Sequence, residues 1–199
     1  MKKDCTAVNI YDSLIHCKGE TTLPGLRPQG WWLPKSMIVS WPTLPKPSDE
    51  GATMESVSTY KGDFALAADA KWLKIDIDDT ASNCTSASQG EGFYKSFLNT
   101  LTFKYPGTNE AATGFCRMVN ADDGVFVYQQ RDGKFRVIGN EMMRTDTKPS
   151  QDSGMAVTDA SGTTLEASVS DVCPAPFYIG KLVTEEGVID CATGQIEAV

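Results

Sequence analysis

The single histidine, His16, stands beside Cys17, and the pair is the nearest thing in this chain to a nucleophile with its base. A thiol dyad needs the imidazole aimed at the sulfur across space, which neighbours in sequence seldom achieve. No nucleophile elbow, phosphate loop or His-Glu-x-x-His pattern occurs. Gly90-Glu-Gly92 is the one Gly-x-Gly, and it leads into a strand pattern rather than a helix, so it offers no phosphate cradle. Asp76-Ile-Asp-Asp79 gathers three carboxylates. A calcium loop would add a glycine turn, spaced ligands and a closing bidentate Glu; without them the run reads as a solvated strand end. The six cysteines, Cys5, Cys17, Cys84, Cys116, Cys173 and Cys191, are irregularly spaced and form no Cys-x-x-Cys pair, which argues against zinc. No apolar stretch follows Met1-Lys-Lys to act as a secretion signal. Reduced thiols are therefore expected, and the Asn83-Cys-Thr85 sequon carries little meaning. These residue types point away from catalysis: no enzyme, no metal and no cofactor is the expectation.

Composition sets outer bounds. A chain of 199 residues with 41% hydrophobic content can bury one substantial core, or at most two small ones. The formal charge of -8, from 26 acids against 18 bases, disfavours wrapping nucleic acid or adhering to an anionic membrane. No apolar run approaches the roughly 18 residues that span a bilayer.

The elements that would position any site are mostly strands. Gly62–Ala68 and Lys71–Ile77 read as two short ones, and residues 79–92 as polar loop. Phe93–Tyr105 is the longest alternating run, with Phe93, Phe97, Leu101, Phe103 and Tyr105 on one face and Tyr94, Ser96, Thr100, Thr102 and Lys104 on the other. Glu110–Asn120 repeats apolar residues at spacings of three and four, a short amphipathic helix. Two hairpins follow. Val125–Gln130 and Lys134–Gly139 flank Arg131-Asp132-Gly133, a strong turn signal because glycine takes positive φ at no steric cost. Gly154–Asp159 and Thr163–Asp171 flank Ala160-Ser161-Gly162, with Thr164, Glu166, Ser168 and Ser170 on the polar face. Residues 140–153 read as loop, polar apart from Met142-Met143, and Lys181–Thr184 with Val188–Cys191 as a last strand pair. The class is mainly β, a barrel or sandwich of about seven to nine strands with one short flanking helix.

Residues 23–47 hold six of the ten prolines and three of the four tryptophans. Proline density forbids a helix here and confines any strand to Lys35–Trp41. The chain then divides into an irregular Pro/Trp-rich arm, 1–59, and a β-rich domain, 60–199. Trp31, Trp32 and Trp41 suit docking on another surface, or else a loop packed on its own domain. With Met142 and Met143 they are the candidate interface residues. Ser96, Thr100, Thr102, Thr164, Glu166, Ser168 and Ser170 are the candidates for a polar face lining a channel.

The order of motifs resembles tail-tube and neck-ring (head–tail connector) structural proteins of tailed bacteriophages, particularly those of Bacteroidetes hosts. The matching pieces are Gly114-Phe-Cys-Arg-Met-Val-Asn120, Val125–Gly139, Gly154–Val169 and Pro174-Ala-Pro-Phe-Tyr178, with Leu23-Pro-Gly-Leu-Arg27 and Tyr60-Lys-Gly-Asp-Phe64 upstream. The resemblance as a whole covers about two thirds of the chain. The Pro/Trp-rich N-terminal part departs from that pattern. The resemblance implies a virion subunit, made in the host cytoplasm, that assembles with itself into a hexameric or dodecameric ring. Its partners would be other tail or neck proteins, and DNA only in transit. An alternative reading of the same strands is a receptor- or carbohydrate-binding module of a phage tail, with the clustered tryptophans stacking on sugars.

Overall fold

The computed structural model describes residues 10–156 and 158–197. In chain order the strands are β1 (Leu26–Pro34), β2 (Ile38–Ser40), β3 (Thr59–Tyr60), β4 (Ala65–Leu66), β5 (Leu73–Asp76), β6 (Asn83–Gln89) and β7 (Ser96–Tyr105). After α1 (Glu110–Val119) come β8 (Gly124–Gln130), β9 (Phe135–Ile138), β10 (Asp146–Asp152), β11 (Gly162–Asp171), β12 (Phe177–Tyr178), β13 (Lys181–Val183), β14 (Val188–Asp190) and β15 (Gln195–Glu197). Seven of these fifteen are only two or three residues long; the eight longer ones fall in the expected range. The fold is mainly β with one helix; its sheets pack as in a sandwich, and none closes into a barrel.

A six-stranded sheet, β3-β12-β9-β8-β1-β5, forms the middle layer. Phe126, Tyr128 and Ile138 point from it towards Leu101, Phe103, Leu165, Ala167 and Val169 of a four-stranded sheet, β10-β11-β7-β6. Val125, Val127, Phe135 and Val137 point the opposite way, into a second core with Phe64, Trp72, Tyr178, Leu182 and Ile189. This double burial explains why Val125-Phe-Val-Tyr128 is apolar at every position. A strand covered on both faces has no polar side to alternate with.

β1 corrects the reading of residues 23–47. Trp31 and Trp32 are 1% and 5% exposed, and being adjacent in a strand they enter the two cores separately. They are therefore structural core residues of their own domain, not exposed docking anchors. Trp41 is half-buried and packs edge-on against Phe64, 5.3 Å between ring centroids. The arm-and-domain boundary at 59/60 is corrected as well, because β1 pairs with β8 and β5 inside the six-stranded sheet. The prolines fit this placement without breaking the ladder. Pro28 lies where the register shifts between Leu26 and Gly30, and Pro34 is the last residue of the strand. Gly30 is required by close approach: a Cβ there would overlap the Phe103 ring.

Three more readings change. Residues 83–89, taken as loop, form β6 beside β7; their Ser/Thr/Asn run has no apolar alternation to show. β11 pairs with Asp146–Asp152, not with 154–159, because Asp152 and Asp159 tie the intervening residues into a loop by accepting the N–H groups of Gly154, Met155 and Ala156. Phe93 lies outside β7 and is fully exposed. The helix, the Asp132-Gly133 hairpin with Gly133 at φ 94°, and the β13–β14 pair form as expected. Asn109 caps the helix by accepting from Ala112 N–H at 2.9 Å.

The two tryptophans should be separable from the surface by energetics. Trp31→Ala and Trp32→Ala are each expected to lose about 3–5 kcal/mol in urea unfolding of the dilute protein, as large core deletions do. A loss within about 0.5 kcal/mol for either, the range for surface positions, would contradict its burial.

Candidate functional site

Among the described residues no reactive constellation forms around the chemistry-bearing side chains. His16 and Cys17 both lie exposed, with His16 Nδ1 4.0 Å from Glu20. The five described cysteines are unpaired. Burial pushes the Cys84, Cys116 and Cys191 thiols up and Cys173 to about 12, the opposite of an activated nucleophile. Among the described residues no three His, Cys, Asp or Glu side chains gather to hold a metal. A cleft of about 510 Å³ is lined by Phe135, Phe177, Tyr178, Ile179 and Lys134, among others. Arg136 lies 3.9 Å over the Phe177 ring and Lys134 5.5 Å from it, so the cations are engaged.

The four-stranded sheet does gather the predicted polar set. Its register puts Thr100 opposite Ser168, Thr102 opposite Glu166 and Lys104 opposite Thr164. β6 adds Thr85 opposite Thr100 and Asn83 opposite Thr102, and β10 adds Asp146 and Lys148 opposite Ser168 and Glu166. Ser96 and Ser170 meet at one end, where Gln89 Nε2 donates to both hydroxyls at 3.0 and 2.7 Å. All seven predicted residues therefore share one face, away from the core. It is a layer mostly of hydroxyl and amide groups, interrupted by Ala87 and Leu98, in which Asp146, Asp152 and Glu166 are opposed by Lys104 and Lys148. Asp146 and Lys148 pair at 3.1 Å, so the face is only weakly acidic.

Exposed apolar side chains collect at the Ser170 end of that sheet. Phe93 and Tyr94 project from the turn between β6 and β7. Met142 and Met143 project from a loop that is built rather than slack. Asn140 Oδ1 accepts both methionine N–H groups, at 3.1 and 2.8 Å, and Lys35 Nζ donates to Met143 carbonyl at 2.5 Å. Lys35 is itself fixed by Asp123 at 3.1 Å, and Asp123 also accepts Thr145 N–H. Asn140 Nδ2 donates to Ser170 carbonyl at 2.9 Å, while Gln89 holds the Ser170 hydroxyl. Ser170 thus joins the roots of both projections. The methionines were legible in the sequence; Phe93 and Tyr94 were missed because they extend the β7 pattern.

Asn99, on the inner face of β7, was also missed. It is fully buried, donates to Cys173 carbonyl at 3.1 Å and accepts Ala175 N–H at 3.0 Å, pinning the chain that leads into β12. Leu98-Asn99-Thr100 gave no sign that a polar residue faces the core.

No family model, curated protein or solved structure matches this chain.

Asp171 supplies a pH-dependent check on this end of the sheet. It is largely buried, Oδ1 accepts Val172 N–H at 2.6 Å, and Oδ2 has no partner among the described residues. Burial, the largest cause, raises its pKa above the ordinary 3.8, while hydrogen bonds from Val172 and Asn140 oppose the rise. A raised folded pKa means the folded state holds the proton more tightly. The stability so gained is complete below the unfolded value and is lost as pH rises through the folded one. NMR titration should place the Asp171 carboxyl midpoint above 3.8, and those of Asp78 and Asp190, lowered by hydrogen bonds from Thr80 and from Ala192 and Thr193, below it. An Asp171 midpoint at or below 3.8 would contradict the burial.

Proposed function

We propose that this chain is a structural virion protein: a subunit that forms stacked or connecting rings of a phage tail tube or neck, with a channel for DNA passage. The carrying observation is that Phe93, Tyr94, Met142 and Met143 all stand exposed at one end of the polar-faced sheet, outside the two buried cores. Large apolar groups held in water by a built loop fit a surface awaiting another protein. The polar face beside them fits a channel wall. A layer of hydroxyls with few free cations gives DNA little to grip, so it passes without sticking. The virion setting and the tail or neck partners come from the sequence resemblance alone.

The sugar-binding alternative is weaker. It rested on clustered tryptophans, and Trp31 and Trp32 offer no face for stacking.

Each copy carries -8, so ring closure works against self-repulsion that salt screens. Negative-stain imaging and sedimentation velocity of the full chain should show closed rings, hexamers or dodecamers, whose fraction rises with ionic strength. A chain that stays monomeric at every concentration and salt would overturn the proposal.

A further inference from the structure

The two edges of the four-stranded sheet are built differently. β10 is blunted: Pro149 has no N–H to offer, and Asp146, Lys148 and Asp152 place charges along it. β6, at the opposite edge, runs seven residues without a proline or a charge and, among the described residues, pairs only with β7. Its outer row of backbone groups is open, the arrangement that accepts an added strand. Beside its first residues lies a cleft of about 150 Å³ lined by Gly25, Leu26, Asn83, Cys84, Tyr128 and Gln130, room for one branched aliphatic side chain.

Residues 10–24 carry the complement. Tyr11, Leu14 and Ile15 are 87%, 94% and 81% exposed. The segment has no helix or strand, and its hydrogen bonds, Ser13 N–H to Asp12 and Glu20 N–H to Cys17 carbonyl, are internal. Its root, Gly25, forms part of the cleft wall, yet residues 10–24 do not pair with the β6 edge. As a strand, Tyr11–Cys17 would span about 23 Å, the length of β6. Alternation sorts it: Asp12, Leu14 and His16 on one side, Tyr11, Ser13, Ile15 and Cys17 on the other.

We propose that residues 11–17 of one copy add as a fifth strand to the Asn83–Gln89 edge of a second copy. Asp12, Leu14 and His16 then extend the outer face, where Ala87 and Leu98 already stand among the hydroxyls, and Ile15 enters the cleft against Leu26, Cys84 and Tyr128. Donor and acceptor are different surfaces, so the joint is head to tail and propagates around a ring. The inference rests on the ring reading and names its joint.

Two full-length variants test it: Ile15→Asp in the arm and Ala87→Pro at the edge, with Thr85→Lys/Ala87→Lys replacing the proline variant if that does not fold. Each alone should lose assembly in sedimentation velocity while keeping the wild-type circular dichroism. Mixed, they should give a heterodimer and nothing larger, because one intact arm meets one intact edge. If Ile15→Asp assembles like wild type, this joint is wrong while the ring reading stands. A mixture that stays monomeric also defeats the joint, as does hydrogen-exchange protection of 11–17 in the dilute monomer, which would place the arm on its own edge. A monomeric wild type defeats the joint and the ring together.

Discussion

The structure depends on burying both faces of one strand pair, β1 against β8. Trp31 and Trp32 are consecutive, so the pleat sends one into each core, and Val125 to Tyr128 do the same across the ladder. Two apolar layers must then be supplied from elsewhere in the chain. One comes from β7, β11 and the helix, where Phe115 meets Trp32 edge-on at 5.3 Å. The other comes from short segments around Phe64, Trp72, Tyr178 and Leu182, which no long strand organises. Buried hydrogen bonds hold those pieces in place: Tyr178 hydroxyl accepts Phe64 N–H and donates to Lys181 carbonyl.

This arrangement leaves a division of labour. Because the middle sheet consumes the tryptophans, the surface is left with hydroxyls on one sheet face and apolar groups at defined projections. The Lys35–Asp123–Met143 and Asn140–Ser170 contacts tie one projection to the ends of the core strands. An interface presented from fixed backbone costs less ordering on association than a mobile one. Residues 23–47 thus have a structural role, and the surface proposed for assembly lies on the four-stranded sheet, at its Ser170 end and its β6 edge.

Much of the fold was legible because local chemistry agreed with the global outcome. Asp132-Gly133 set a turn whatever surrounded it, and the Phe97–Tyr105 alternation gave the right inward set except Asn99. What stayed hidden has physical causes. β6 has no apolar face because it is an edge strand with mostly exposed residues. β10 carries Pro149, tolerated only because it is an edge. β1 has the composition of an irregular arm because its prolines, which sit at a register shift and at the strand end, are as dense as those of a loop. The polar face of β7 and β11 could be read from alternation, and Met142 and Met143 stood out in a polar loop; that they share one end with Phe93 and Tyr94 could not be read, since hydrogen bonds at Ser170 join segments about 80 and 30 residues away.

Hydrogen exchange of the full chain, compared at low and high protein concentration, tests the central claim most directly. The account predicts that amides of 26–34 and 124–130 are slow at both, while 90–95 and 140–144 become slow only at high concentration. Fast exchange of 26–34 in the dilute protein, rescued by concentration, would return that strand to the interface and contradict the account.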